Sequence, residues 1–152
     1  MSDSYSYGTG GVSVSSSQTG KGIVGISTPS TVRARVARWR FETDAGASGD
    51  APVLGRLMRT SAAGTATSRT AQKSDDPAAP TALVTPKDTY TVDPTLGDEI
   101  DHVYLPTTGG GVYDYTFPDG RQPLVPVSQD VVIVADTGGQ ARVLRGRIWW
   151  AE

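Results

Sequence analysis

The sequence predicts an all-β protein, and three observations carry that prediction. Apolar and polar residues alternate with a period of two, and turn chemistry recurs at intervals of roughly 8–12 residues. Glycine and proline, 18 and 10 of 152 residues, are too frequent for long helices. That length fits one domain with one core. Strands spaced in this way point to a sandwich, a jelly roll or a barrel.

Residues 1–22 are rich in Gly, Ser and Thr, with Tyr5, Tyr7 and Val12 as widely spaced apolar anchors. Such a segment buries too little apolar surface to offset its own ordering entropy. It is therefore expected as a flexible arm that orders on a neighbouring subunit through its tyrosines, leaving residues 23–152 as a single β-sandwich domain. It has neither the basic start nor the apolar run of a signal peptide. No stretch approaches the ~20 apolar residues of a membrane span, so a soluble protein is expected.

Residues 31–36 place small or apolar side chains at even positions and arginine at odd ones, and 37–41 reverse the phase. A β-bulge near Val36-Ala37 reconciles the two halves. It puts Arg33, Arg35, Arg38 and Arg40 on one face and Val32, Ala34, Trp39 and Phe41 on the other. A turn follows at 44–50, then a strand at 53–59. In the Ala/Thr/Ser stretch at 60–80, Asp76-Pro77 has the chemistry of a short helix start. Short strands are expected at 81–85, 89–92 and 100–105.

Further on, Tyr113, Tyr115 and Phe117 share a face, and Pro118-Asp119-Gly120 is a turn. Val131-Val132-Ile133-Val134 reads as a strand buried on both sides. Asp136-Thr137-Gly138-Gly139 is expected as a hairpin turn into a last strand at 141–150. There Leu144, Ile148 and Trp150 face one way, and Val143, Arg145, Arg147 and Trp149 the other.

Nothing in the pattern carries catalysis. The single histidine, His102, has Asp101 beside it, but adjacent strand residues point to opposite sides. Gly8-Thr9-Gly10-Gly11 lacks the rest of a dinucleotide fingerprint. Gly20-Lys21-Gly22 fails as a phosphate loop, since Ser15 and Gly22 hold its first-Gly and Ser/Thr positions. Asp93, Asp98, Glu99 and Asp101 form an acidic stretch without calcium-loop spacing. With no cysteine in the chain, disulfides and thiolate metal sites are excluded. No enzyme, cofactor or metal is expected.

The formal net charge of −2 disfavours nucleic acid as a partner. Yet eleven of the fourteen basic residues are arginine, and seven of these fall within 33–40 and 142–147. Alternating arginines suit acidic side chains on a protein partner, because their forked donors pair carboxylates two at a time. The candidate binding residues are Tyr5, Tyr7, Arg33, Arg35, Arg38 and Arg40.

Several stretches together resemble the head decoration, or cement, proteins of tailed bacteriophages. They are Val53-Leu54-Gly55-Arg56-Leu57-Met58-Arg59-Thr60 leading to Asp75-Asp76-Pro77-Ala78-Ala79, then Pro118-Asp119-Gly120-Arg121-Gln122-Pro123-Leu124-Val125-Pro126. Ser128-Gln129-Asp130-Val131-Val132-Ile133-Val134 and the closing Arg145-Gly146-Arg147-Ile148-Trp149-Trp150-Ala151-Glu152 complete the set. The resemblance spans roughly residues 31–152. It implies a jelly-roll-like β-sandwich, a dimer or trimer, on the outer surface of an icosahedral capsid. The partner would be the major capsid protein, with neither nucleic acid nor membrane involved. The same residues leave open a tail or head-fibre component, and a carbohydrate-binding sandwich with Trp149 or Trp150 as its platform.

Overall fold

A computed structural model describes residues 4–46, 49–106 and 108–152. Its strands are β1 (Ser4–Gly8), β2 (Val12–Val14), β3 (Lys21–Ser27), β4 (Ala34–Thr43), β5 (Val53–Ala62), β6 (Thr65–Ser68) and β7 (Gln72–Lys73). The second half adds β8 (Thr85–Val92), β9 (Thr95–Leu105), β10 (Gly111–Thr116), β11 (Leu124–Val125), β12 (Asp130–Asp136) and β13 (Arg142–Ala151). No helix occurs among the described residues.

Two antiparallel sheets pack face to face as a β-sandwich. The first runs β10-β4-β13-β1-β7, with β11 joined to β4 and β2 to β13; the second runs β6-β8-β3-β12-β5-β9. Among the described residues no strand pairs with its immediate successor in the chain. Asp136 to Gly139 is therefore an arch carrying the chain from β12 in the second sheet to β13 in the first, not the expected hairpin. Gly138 and Gly139 give the backbone its left-handed steps there, at φ of 68° and 88°.

The phase reversal in β4 is where the sequence put it. Trp149 faces Arg38 but Trp150 faces Val36, which leaves Ala37 as the extra residue of a bulge. Ala34, Val36, Trp39 and Phe41 consequently all face inward and are buried, together with Leu144, Ile148 and Trp150 of β13.

β12 is central in its sheet, and residues 131–135 are all fully buried. One side, with Val131 and Ile133, belongs to the core between the sheets. The other, Val132 and Val134, is covered by Met58 and Tyr90, with Leu96 and Ala66 against them. Tyr90 lies flat because β3 offers Gly22 and Gly25 beneath it. A Cβ at those positions would fall 2.8 Å from its ring and 2.3 Å from its hydroxyl.

The N-terminal segment departs from expectation. β1 pairs with β13 from Ser4 opposite Ala151 to Gly8 opposite Arg147, and with β7 on its other edge. Tyr5 is 1% exposed, stacks on Trp150 at 6.1 Å and donates its hydroxyl proton to the Pro80 carbonyl at 2.9 Å. The described part of the expected arm is thus a working portion of the sandwich. Its own composition cannot stabilise it, but the ladder and aromatic pocket supplied by residues 72–73 and 147–151 can.

Smaller differences are local. Asp76 caps a single turn, accepting from the Ala78 amide at 2.8 Å, and no helix follows. Residues 81–84 are not a strand: the Glu152 carboxylate holds them by accepting the Leu83 and Val84 amides at 2.9 and 3.0 Å. The Pro118 turn forms as read, with Arg121 N–H donating to the Pro118 carbonyl at 2.9 Å. In the turn expected at 44–50, Ala47 and Ser48 lie outside the described residues.

A flexible arm would tolerate truncation of Tyr5; a buried strand would not. Tyr5→Ala is expected to cost about 3–5 kcal/mol, as for other large aromatic deletions from cores. Urea unfolding should show the midpoint falling accordingly.

Candidate functional site

Backbone register places the two arginine-rich segments side by side. β4 and β13 are neighbours, with Arg145 opposite Glu42, Arg147 opposite Arg40 and Trp149 opposite Arg38. β10 flanks β4 and sets Asp114 opposite Arg40. The charged strand residues on this outer face are Arg35, Arg38, Arg40, Arg145 and Arg147 against Glu42 and Asp114. Five arginines against two carboxylates leave a surplus of three positive charges. Arg142 lies outside this set: it falls on the inward phase, is buried, and pairs with Asp50.

Trp149 is the apolar centre of the face. The Arg38 guanidinium lies 4.4 Å from its ring centre and that of Arg147 5.1 Å away, cation–π distances that fix all three side chains. Arg38 also forks onto Asp114, its Nε donating to Oδ1 at 2.6 Å and its Nη2 to Oδ2. That fork is the main reason the Asp114 carboxyl is held below, and the Arg38 guanidinium above, their ordinary values. Arg40 pairs with Glu42 at 2.5 Å. Arg147 reaches across β1, donating to Ser6 Oγ at 3.0 Å and Gln72 Oε1 at 2.6 Å.

Of the residues the sequence nominated, the arginines behave as a group and the tyrosines do not. Arg35, Arg38 and Arg40 share the outer face. Arg33, exposed just before β4, lines a groove with Arg35, Gln122 and Glu152. Tyr5 is in the core, and Tyr7 points inward to hydrogen-bond Asp88 at 2.6 Å. Neither presents itself to a partner; both are internal anchors of β1. The site omits no chemistry the sequence concealed, but it adds Arg145, Arg147 and Trp149. Their outward phase was readable in the last strand, whereas their adjacency to β4 depends on a long-range pairing.

The other candidate clusters disperse. His102 meets Glu99 at 2.6 Å and stands exposed, while Asp101 turns inward to accept from Trp39 Nε1 at 2.9 Å and the Tyr113 hydroxyl at 3.0 Å. Asp93 accepts from the Gly22 amide and pairs with Lys21 at 3.3 Å. No group of potential ligands able to hold a metal ion occurs among the described residues.

The chain matches no protein-family model, no curated protein and no solved structure. The functional reading therefore rests on the arginine face and on the sequence resemblance.

Two inward tyrosines make the fold sensitive to alkali. Burial, then the hydrogen bonds to Asp88 and Asp101, push the Tyr7 and Tyr113 hydroxyls from 10.0 up to about 12. In the unfolded chain both ionise near 10.0, so above that pH unfolding releases protons that the folded state keeps. Their contribution is complete below pH 10.0 and is lost as pH rises toward about 12. Urea midpoints between pH 8 and 12 are expected to hold and then fall, and Tyr7→Phe should flatten the fall.

Proposed function

We propose that this chain is a structural virion protein that binds the outer surface of an icosahedral phage capsid and cements neighbouring capsomers. The observation that carries the reading is the outer face of β10-β4-β13-β1, a rigid array of arginines around Trp149 with surplus positive charge. Such a face complements an acidic protein surface and gives partner selectivity and fast association more than raw affinity. On a shell that repeats its surface many times, modest contacts add up through multivalency. The partner in this reading is the major capsid protein, and the bound species is a dimer or trimer. The crossing of successive strands between the sheets also suits the jelly-roll-like winding that the resemblance implies.

The carbohydrate-platform alternative is disfavoured by a specific observation. Trp150 is buried, and the Arg38 and Arg147 guanidiniums already stack at the Trp149 ring, where a sugar would have to compete with them. Among the described residues the His102 ring contacts Glu99 and Tyr104.

Cosedimentation of the purified protein with capsids built from the neighbouring major capsid protein tests the reading. Saturable binding at a fixed ratio per capsomer and a raised capsid melting temperature are expected. The Arg38→Glu/Arg40→Glu double variant should bind at least about tenfold more weakly, a loss of about 1.4 kcal/mol. Absence of binding to mature shells would transfer the protein to a tail or head fibre.

A further inference from the structure

Arg40 and Arg147 stand directly opposite each other on β4 and β13. Like charges in that position repel, and long side chains ordinarily relieve the repulsion by swinging apart. Here they are tethered: Arg40 by Glu42, and Arg147 by Ser6 and Gln72, each through Nη2. The Nε of each is buried and without a partner, and among the described residues no hydrogen bond reaches either Nη1. Arg56 and Arg142 also leave Nε unpartnered, but each sits against a carboxylate, Asp136 and Asp50, as Arg40 does against Glu42; Arg147 alone of the four has no carboxylate partner among the described residues.

Both arginines line a cavity of 190 Å³, together with Gly8, Thr9, Glu42 and Arg145 among others. Arg145 completes the positive rim. Its cross-strand neighbour, Glu42, is engaged by Arg40, and no ion pair to Arg145 is formed among the described residues. Three guanidiniums around one carboxylate make a site short of negative charge. Its volume admits the carboxylate end of an acidic side chain.

We infer that this cavity is a carboxylate pocket, in which Arg40, Arg145 and Arg147 receive an acidic side chain of the partner protein. The inference rests on the binding role proposed above and names the contact within it. A single carboxylate relieves the Arg40–Arg147 repulsion and gains charge-assisted hydrogen bonds from forks already held in place. A nucleic-acid backbone fits less well, because Glu42 inside the cavity and Asp114 beside it would oppose successive phosphates.

The test is ¹H–¹⁵N NMR of the arginine Nε–H groups in the full chain, titrated at low salt with N-acetyl hexaglutamate and separately with oligothymidylate of equal charge. The Arg40 and Arg147 signals are expected to shift saturably with hexaglutamate. Arg147→Gln should weaken binding about tenfold or more, and exposed Arg145→Gln several-fold with an unchanged melting temperature. Arg121→Gln, in the Pro118 turn, should leave it intact. Unmoved signals, or equal weakening by Arg121→Gln, would overturn the pocket, and tighter oligothymidylate binding through the same signals would assign it to nucleic acid instead. Hexaglutamate binding without capsid binding would retain the pocket and remove the virion role. Capsid binding indifferent to Arg145→Gln and Arg147→Gln would do the reverse.

Discussion

The ladder between β4 and β13 is the constraint on which the rest of the structure depends. It joins residues 34–43 to residues 142–151, and its register is set by one extra residue, Ala37. With that bulge, Val36 and Trp39 both point inward although they are three residues apart, and Trp150 and Ile148 face them. Without it, one half of β4 would turn its arginines into the core and its tryptophan into solvent. A register error of that kind exposes large apolar side chains and buries unpaired charge, each costly on its own. The same ladder brings the second arginine cluster beside the first, so a single pairing organises the core on one side and the charged face on the other.

The wider architecture shares this long-range character. Among the described residues no strand pairs with its successor, so no hairpin of neighbouring strands forms first to template the remainder. Loop closure must be largely complete before ladder bonds compensate for it, which favours slow folding. The contacts that close the sandwich are correspondingly specific. Asp101 on β9 accepts from Trp39 and Tyr113 in the opposite sheet, and Asp88 on β8 accepts from Tyr7 and Arg69. Burial works against ionisation of Asp88, yet the hydrogen bonds from Tyr7, Arg69 and Thr89 outweigh it and hold its carboxyl below the ordinary value. The bonds from Trp39, Tyr113 and Tyr7 tie one sheet to the other, Asp101 from the edge strand β9 and Asp88 from the interior strand β8.

What could be read from the sequence follows from the range of the interaction that decides it. Side-chain phase is a local property, and the bulge at Ala37, the inward set of β13 and the doubly buried run at 131–134 were all legible. Pairing partners are not local. Asp136-Thr137-Gly138-Gly139 carries the same residue chemistry whether it closes a hairpin or arches between sheets, since both need left-handed glycine. Residues 4–14 look unable to order because their stabilisation resides elsewhere, in Trp150, Pro80 and Asp88. For the same reason Tyr5 and Tyr7 read as partner anchors: a tyrosine amid Gly and Ser is an anchor, but the sequence does not say to what. The arginine face was half legible, with both clusters visible and their contact hidden.

The charge pattern of that face carries the functional argument one step further. Strand positions with one solvated side are well served by Thr, Val or mixed charges, and exposed ion pairs add little to stability. Glu42 and Asp114 answer two of the five arginines, and the tethers on Arg147 come from neutral groups, Ser6 and Gln72. Those tethers hold a cation in place without neutralising it. Cation–π contacts to Trp149 do the same for Arg38 and Arg147. An arrangement that spends order on keeping guanidiniums fixed and close, while withholding the carboxylates that would satisfy them, lowers the cost of binding an anion from outside. Rigidity of the forks before contact is what turns a surplus of charge into a recognition surface.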